Sequence, residues 1–132
     1  MDIDDTGINE AATRLLGLEG VSVTQVKDDG SGGSTVYVVT SDDSARACPS
    51  CGVVATRLKG YRTSRPRHLP CGGRPVSIHW RKARWYCTEP ACERGSFTEA
   101  IRQVPTGMRT TRALRQAAGA AVCDGSRTVV QA

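Results

Sequence analysis

The chain has 132 residues, a formal net charge of +5 and six cysteines, with 14 glycines, 6 prolines and only 5% aromatic residues. So thin an apolar inventory excludes a large self-sufficient core and asks for a covalent or ionic staple. No stretch reaches membrane-spanning length, and the acidic start Met1-Asp2-Ile3-Asp4-Asp5 has no apolar signal segment, so we expect no membrane association and a reducing, cytoplasmic setting.

The charge is divided. Residues 1–47 hold three basic and nine acidic groups, a balance of −6. Residues 48–132 hold fifteen basic and four acidic groups, a balance of +11. A basic block of this size favours a polyanion, nucleic acid being the commonest, over a merely solvated surface.

In chain order, residues 1–8 read as frayed. Asn9 to Leu18 reads as a short helix closed by Gly17 and Gly20. Val21 to Val26 alternates as a strand, with Val21, Val23 and Gln25 sharing a face. Residues 28–34 make a Gly/Ser turn, and Thr35 to Thr40 is a second strand, giving a β-hairpin. The acids of this hairpin lie in its turn and at its ends and read as solubilising.

Cys48-Pro49-Ser50-Cys51-Gly52 opens the basic half, and Cys87-Thr88-Glu89-Pro90-Ala91-Cys92 answers it after thirty-five intervening residues. Two close cysteine pairs joined by a strand-forming excursion have the layout of a zinc ribbon. Cys48, Cys51, Cys87 and Cys92 are the expected ligands of one Zn2+, which takes four thiolates tetrahedrally. Gly52 suits the tight turn after the first pair. Two other uses of the cysteines stay open. A secreted chain would oxidise them to disulfides, and four thiolates also hold iron. The missing signal segment weighs against the first, and the basic surroundings weigh against the second.

Between the pairs, Val53 to Tyr61 reads as a strand carrying Arg57 and Lys59. Residues 62–68 form a basic turn with Arg62, Arg65 and Arg67, and Val76 to Tyr86 is the best strand. In the latter, Val76, Ile78 and Trp80 share a face, but the apolar set then moves to Ala83 and Trp85. A bulge or a strong twist near Arg81 would explain the shift. Trp85 and Phe97 are placed to cover the metal. Arg81, Lys82 and Arg84 add positive charge to the strand.

Beyond Ile101 to Pro105, Thr110 or Thr111 caps a helix whose apolar stripe is Leu114, Ala117, Ala118, Ala121 and Val122. Arg112 and Arg115 lie off that stripe, and Arg109 precedes it. Asp124-Gly125 ends the helix and Ser126 caps another, which is the opening of a helix-turn-helix.

Taken together, Cys-Pro-x-Cys-Gly, Arg67-His68-Leu69-Pro70 with Gly72-Gly73, Arg84-Trp85-Tyr86-Cys87, Cys92 and Phe97-Thr98-Glu99 resemble the N-terminal zinc-binding region of bacterial insertion-sequence transposases of the ISL-three type. The resemblance extends over residues 15–132 and is specific in the cysteine region. It implies a ribbon followed by a helix-turn-helix and then a large catalytic domain with an acidic triad. It also implies a bacterial, nucleoid-associated protein that binds transposon ends. His68 stands where that family usually has an acidic residue, and the chain stops before any catalytic domain. Only Glu89, Glu93, Glu99 and Asp124 follow Cys48. They do not form the convergent carboxylates of a two-metal nuclease.

The expected fold class is therefore α+β. An acidic segment (1–44) with a short helix and a β-hairpin precedes the zinc ribbon (45–104) and the start of an incomplete helix-turn-helix (105–132). The expected function is a non-catalytic DNA-binding fragment of a transposase. Double-stranded DNA would be contacted by Arg57, Lys59, Arg62, Arg65, Arg67, Arg81, Lys82, Arg84, Arg109, Arg112 and Arg115. The alternative is a protein-interaction module without DNA binding. Cys71 and Cys123 read as spare thiols, His79 as a surface residue, and His68 as a phosphate contact only if protonated.

Overall fold

The computed structural model describes residues 2–119, with side chains from Asn9 onward. Cys123 and the second half of the expected helix-turn-helix lie outside the described residues. The architecture is α+β, a five-stranded sheet with helices at either end of the described chain. Helix α1 spans Asp2–Leu16, so it begins well before the expected Asn9.

Strands β1 (Val21–Asp28) and β2 (Ser34–Thr40) form the expected antiparallel hairpin. A bulge between Val23 and Gln25 turns Gln25 to the face opposite Val23, so the expected shared face breaks there. Strand β3 (Arg57–Ser64) starts later than Val53, because the backbone at 53–55 is used by the cysteine turn. Cys48 N–H donates to the Val53 carbonyl at 2.9 Å, and Ala55 N–H donates to that of Arg46 at 2.8 Å. Strand β4 (Val76–Tyr86) has the expected bounds, and β5 (Ser96–Thr98) pairs with its C-terminal end. The sheet order is β1-β2-β4-β3. β2 runs parallel to β4, from Ser34 opposite Val76 to Val39 opposite Arg81. The hairpin and the strands between the cysteine pairs thus share one sheet.

β4 passes through two separate cores. Ile78 and Trp80 join Val21, Val23, Val36 and Val38 beneath Leu16, Leu18, Ile101 and Val104. Three residues after Trp80, buried Ala83 belongs to the alternate face, as does Trp85, which packs with Cys48, Ala55 and Phe97. The pairing of β4 with β3 runs without a shift from Trp80 to Arg84, so no bulge lies near Arg81. The irregularity is on β3, between Leu58 and Gly60. Side chains alternate along a strand, so the change of phase means that the two cores sit on opposite faces of β4.

Gly20 fixes the first core's corner. Its φ is +93°, and a Cβ there would lie 2.8 Å from Ile101 Cγ2. Only glycine fits both demands. The segment 101–104, expected merely to leave the ribbon, instead plugs this core, with Val104 wholly buried.

Candidate metal centre and nucleic-acid interface

Two turns present the four cysteines. In the first, Gly52 N–H donates to the Cys48 carbonyl at 2.8 Å, and Gly52 adopts φ +77°, which an L side chain rarely tolerates. In the second, Cys92 N–H donates to the Glu89 carbonyl at 3.0 Å, and Cys87 N–H to that of Gly95 at 2.9 Å. Arg94 clips the turns together by donating to Ser50 Oγ at 3.2 Å. The four sulfurs all lie within 4.8 Å of one another. Cys48 Sγ is 3.8 Å from Cys92 Sγ, and Cys51 Sγ is 3.6 Å from Cys87 Sγ. Four sulfurs at ~2.3 Å from one tetrahedral ion would be ~3.8 Å apart, so the donor set fits a metal.

The cysteines at the site, and Cys71, are free thiols, so the disulfide alternative does not apply to the described residues. Their electrostatics asks for a cation. Burial pushes the Cys48 thiol up, but the N–H groups of Cys51 and Ser50 and the neighbouring thiols outweigh it and hold Cys48 down at about 7. The Glu89 N–H favours a Cys87 thiolate, yet burial and three adjacent sulfurs push Cys87 up to about 12. Cys51 is also raised, although the Val53 N–H pulls it down. One sulfur ionises readily and its neighbours then resist. A divalent ion reverses that resistance.

The metal turns rest on a small core. Trp85 and Phe97 are direct cross-strand partners on β4 and β5, so they lie side by side, both packed with Cys48. Glu99, 7% exposed, accepts from Ala83 N–H at 2.7 Å and from Trp85 Nε1–H at 3.1 Å. The Arg46 guanidinium lies 4.6 Å over the Trp85 ring. From sequence Glu99 enters as part of Phe97-Thr98-Glu99 and as one of four scattered acids, with no role of its own. Its place two residues after Phe97, the aromatic residue between the second cysteine pair and Ile101, is the available sign of a structural carboxylate.

The expected DNA-contacting residues divide into groups. Arg62 stands opposite Lys82, Arg57 opposite Tyr86, and Gly60 opposite Arg84, so Arg57, Arg62, Lys82 and Arg84 share one face. Lys59, the extra residue at the β3 irregularity, joins them by reaching Ser96 Oγ at 3.3 Å. The Arg57 and Lys59 cations lie 5.1 and 5.6 Å from the Tyr86 ring centre, and Lys82 lies 4.4 Å over Trp80. Burial, and the like charge of Arg62 across the strand pair, hold Lys82 below the ordinary lysine range.

Arg81 lies on the other face, 3.8 Å over Tyr61. Arg65 and Arg67 are exposed in the loop after β3, where Arg67 bridges to Thr110. Arg112 and Arg115 line an open groove with Arg102, which sequence reasoning did not single out, and exposed Arg109 precedes them. The helix there begins at 112, capped by Thr111 Oγ1, which accepts from Leu114 N–H at 3.1 Å.

His68 is not available as a phosphate contact. Its two ring nitrogens lie 2.8 Å from Thr111 Oγ1 and 2.9 Å from the Leu16 carbonyl. His79 is half-buried beside Tyr37. No described helix is long and apolar enough to cross a membrane.

No curated protein and no solved structure matches the chain. Residues 44–92 match the family described as zinc-finger of transposase IS204/IS1001/IS1096/IS1165, and both cysteine pairs fall inside the matched stretch. The four sulfurs, gathered as a metal site requires, and the family match over residues 44–92 together support a metal-binding region of the kind found in that transposase family.

Proposed function

We propose that the chain is a DNA-binding module of a transposase, in which a zinc ribbon presents cations to the backbone of double-stranded DNA at transposon ends. Cys48, Cys51, Cys87 and Cys92 would hold the zinc. Four thiolates leave no open coordination position, so the ion would supply stability and no Lewis-acid chemistry. The residues described here act in binding. Glu99 is committed to backbone and indole hydrogen bonds, and Glu89 to its own turn, where it accepts from Ala91 N–H at 3.2 Å. In this reading residues 45–104 are the ribbon, and the helix from 112 opens a helix-turn-helix. Residues 1–44 contribute the acidic segment whose hairpin supports the sheet.

The observation that carries the proposal is the pairing of Arg62 with Lys82 among five cations on one sheet face. Like charges directly opposite on adjacent strands destabilise a sheet. A row of phosphates removes that penalty, and such contacts position a protein on DNA without reading bases. Binding to a duplex should weaken as a power of salt concentration, with a slope near −4.5 for about five phosphates engaged. Arg62→Ala with Lys82→Ala should flatten the slope by about two units on any sequence. A duplex affinity insensitive to salt, or no duplex binding in low salt, would favour the protein-interaction reading instead.

A further inference from the structure

Among the described residues, the change of phase along β4 leaves a second surface bare. The N-terminal half of β4 buries Ile78 and Trp80, so His79 and Arg81 emerge on the opposite face. Register places Tyr37 beside His79, Gln25 beside Tyr37, and Thr63 beside Arg81 on that same face. Helix α1 packs on the other side, where Leu16 and Leu18 seal the core.

The bare face has an unusual chemistry for an outer sheet surface. The Tyr37 and His79 rings have centres 5.0 Å apart at a 52° tilt. Tyr61, 54% exposed, lies under Arg81. Lys27 Nζ is 5.5 Å from the Tyr37 ring centre. A pocket opens over this area, where Thr24, Gln25 and Thr63 join Tyr37, His79 and Arg81 in the lining, with no carboxylate among the described residues that line it.

We propose that the open sheet face around Tyr37, His79, Tyr61 and Arg81 binds single-stranded DNA, by stacking unpaired bases on its rings and holding phosphates with Lys27 and Arg81. Aromatic rings on a sheet with cations at their rims take splayed bases, because every base offers a π-face. A duplex cannot use the rings, since its bases are stacked on each other. An apolar protein partner would have to bury Lys27 and Arg81 unpaired, at a high desolvation cost. The surface shares only Arg81 with the basic residues assigned to duplex binding, so either activity can fail without the other.

The test uses the full zinc-loaded chain and two labelled probes, an oligothymidine of about twelve nucleotides and a hairpin duplex. Tyr37→Thr removes the ring and keeps a β-branched residue suited to the strand, whereas Tyr37→Phe keeps the ring. The threonine variant should lose about 5- to 150-fold in oligothymidine affinity, the worth of one stacked base, with duplex affinity unchanged. The phenylalanine variant should bind oligothymidine like the parent. The proposal is overturned if Tyr37→Thr binds oligothymidine as tightly as the parent, or loses both probes equally. It is equally overturned if the parent does not bind oligothymidine.

Discussion

His68 Nδ1 lies 2.8 Å from Thr111 Oγ1, and this contact ties the two ends of the described fold together. The other ring nitrogen, Nε2, faces the Leu16 carbonyl at 2.9 Å, a group that only accepts. Nε2 therefore carries a proton and donates. A neutral ring then accepts at Nδ1 from the Thr111 hydroxyl, whose oxygen in turn accepts from Leu114 N–H. One imidazole thus joins the last carbonyl of α1 to the cap of the helix at 112.

Removing that imidazole should loosen both ends at once. His68→Ala leaves the buried Thr111 hydroxyl and the Leu16 carbonyl without their partner, at a cost of about 1–3 kcal/mol. Thr111→Val should cost a similar amount. The double variant should fall short of the sum, because the two residues share one network. Urea unfolding of the four proteins checks this. Strict additivity would mean that the contact contributes nothing.

The hairpin, the bounds of β4 and the metal cluster were legible because each rests on a local pattern. Val21 and Val23 alternate, Val76 to Tyr86 is rich in strand formers, and the cysteine spacings are short. What sequence did not carry was long-range. The parallel pairing of Val38 with Trp80 joins residues far apart in the chain, and no periodicity announces it. The shift from Trp80 to Ala83 was visible in the pattern but had two physical causes, a bulge or a second core. Only the uninterrupted register distinguishes them. His68 resembled the arginines around it, yet its role follows from Leu16 and Thr111, which approach it only in the folded chain.

Glu99 should prove indispensable for the metal turns although it touches no sulfur. Both its oxygens accept from fixed N–H donors, Ala83 and Trp85. In Glu99→Gln one donor would face an amide NH2 instead of an oxygen, leaving a buried group unsatisfied at about 1–3 kcal/mol. Trp85 fluorescence should change with it, and thermal unfolding should come earlier. A glutamine variant with unchanged stability and unchanged tryptophan emission would show that the carboxylate is dispensable.

Zinc affinity should rise with pH. With Cys48 held at about 7 and Cys87 pushed up to about 12, the metal-free cluster carries protons at neutral pH that zinc must displace. Protons compete with the ion as pH falls, so apparent affinity drops on acidification and the chain releases its metal. A competition titration with a chromogenic chelator from about pH 6 to 8 reads the trend. An affinity independent of pH would be inconsistent with thiol ligands.

The most direct measurement is the metal content of the purified protein, taken together with that of Cys51→Ser. Cys51 is the exposed member of the set, 3.6 Å from Cys87 through sulfur, so its replacement removes a ligand without opening the packed core. The parent should carry about one zinc per chain by elemental analysis, and Cys51→Ser should lose both the metal and the fold of residues 45–104, since structural zinc supplies ~10–16 kcal/mol of apparent binding energy. A parent that purifies folded without metal, or a Cys51→Ser protein that is metal-free and stably folded, would contradict the four-thiolate zinc site.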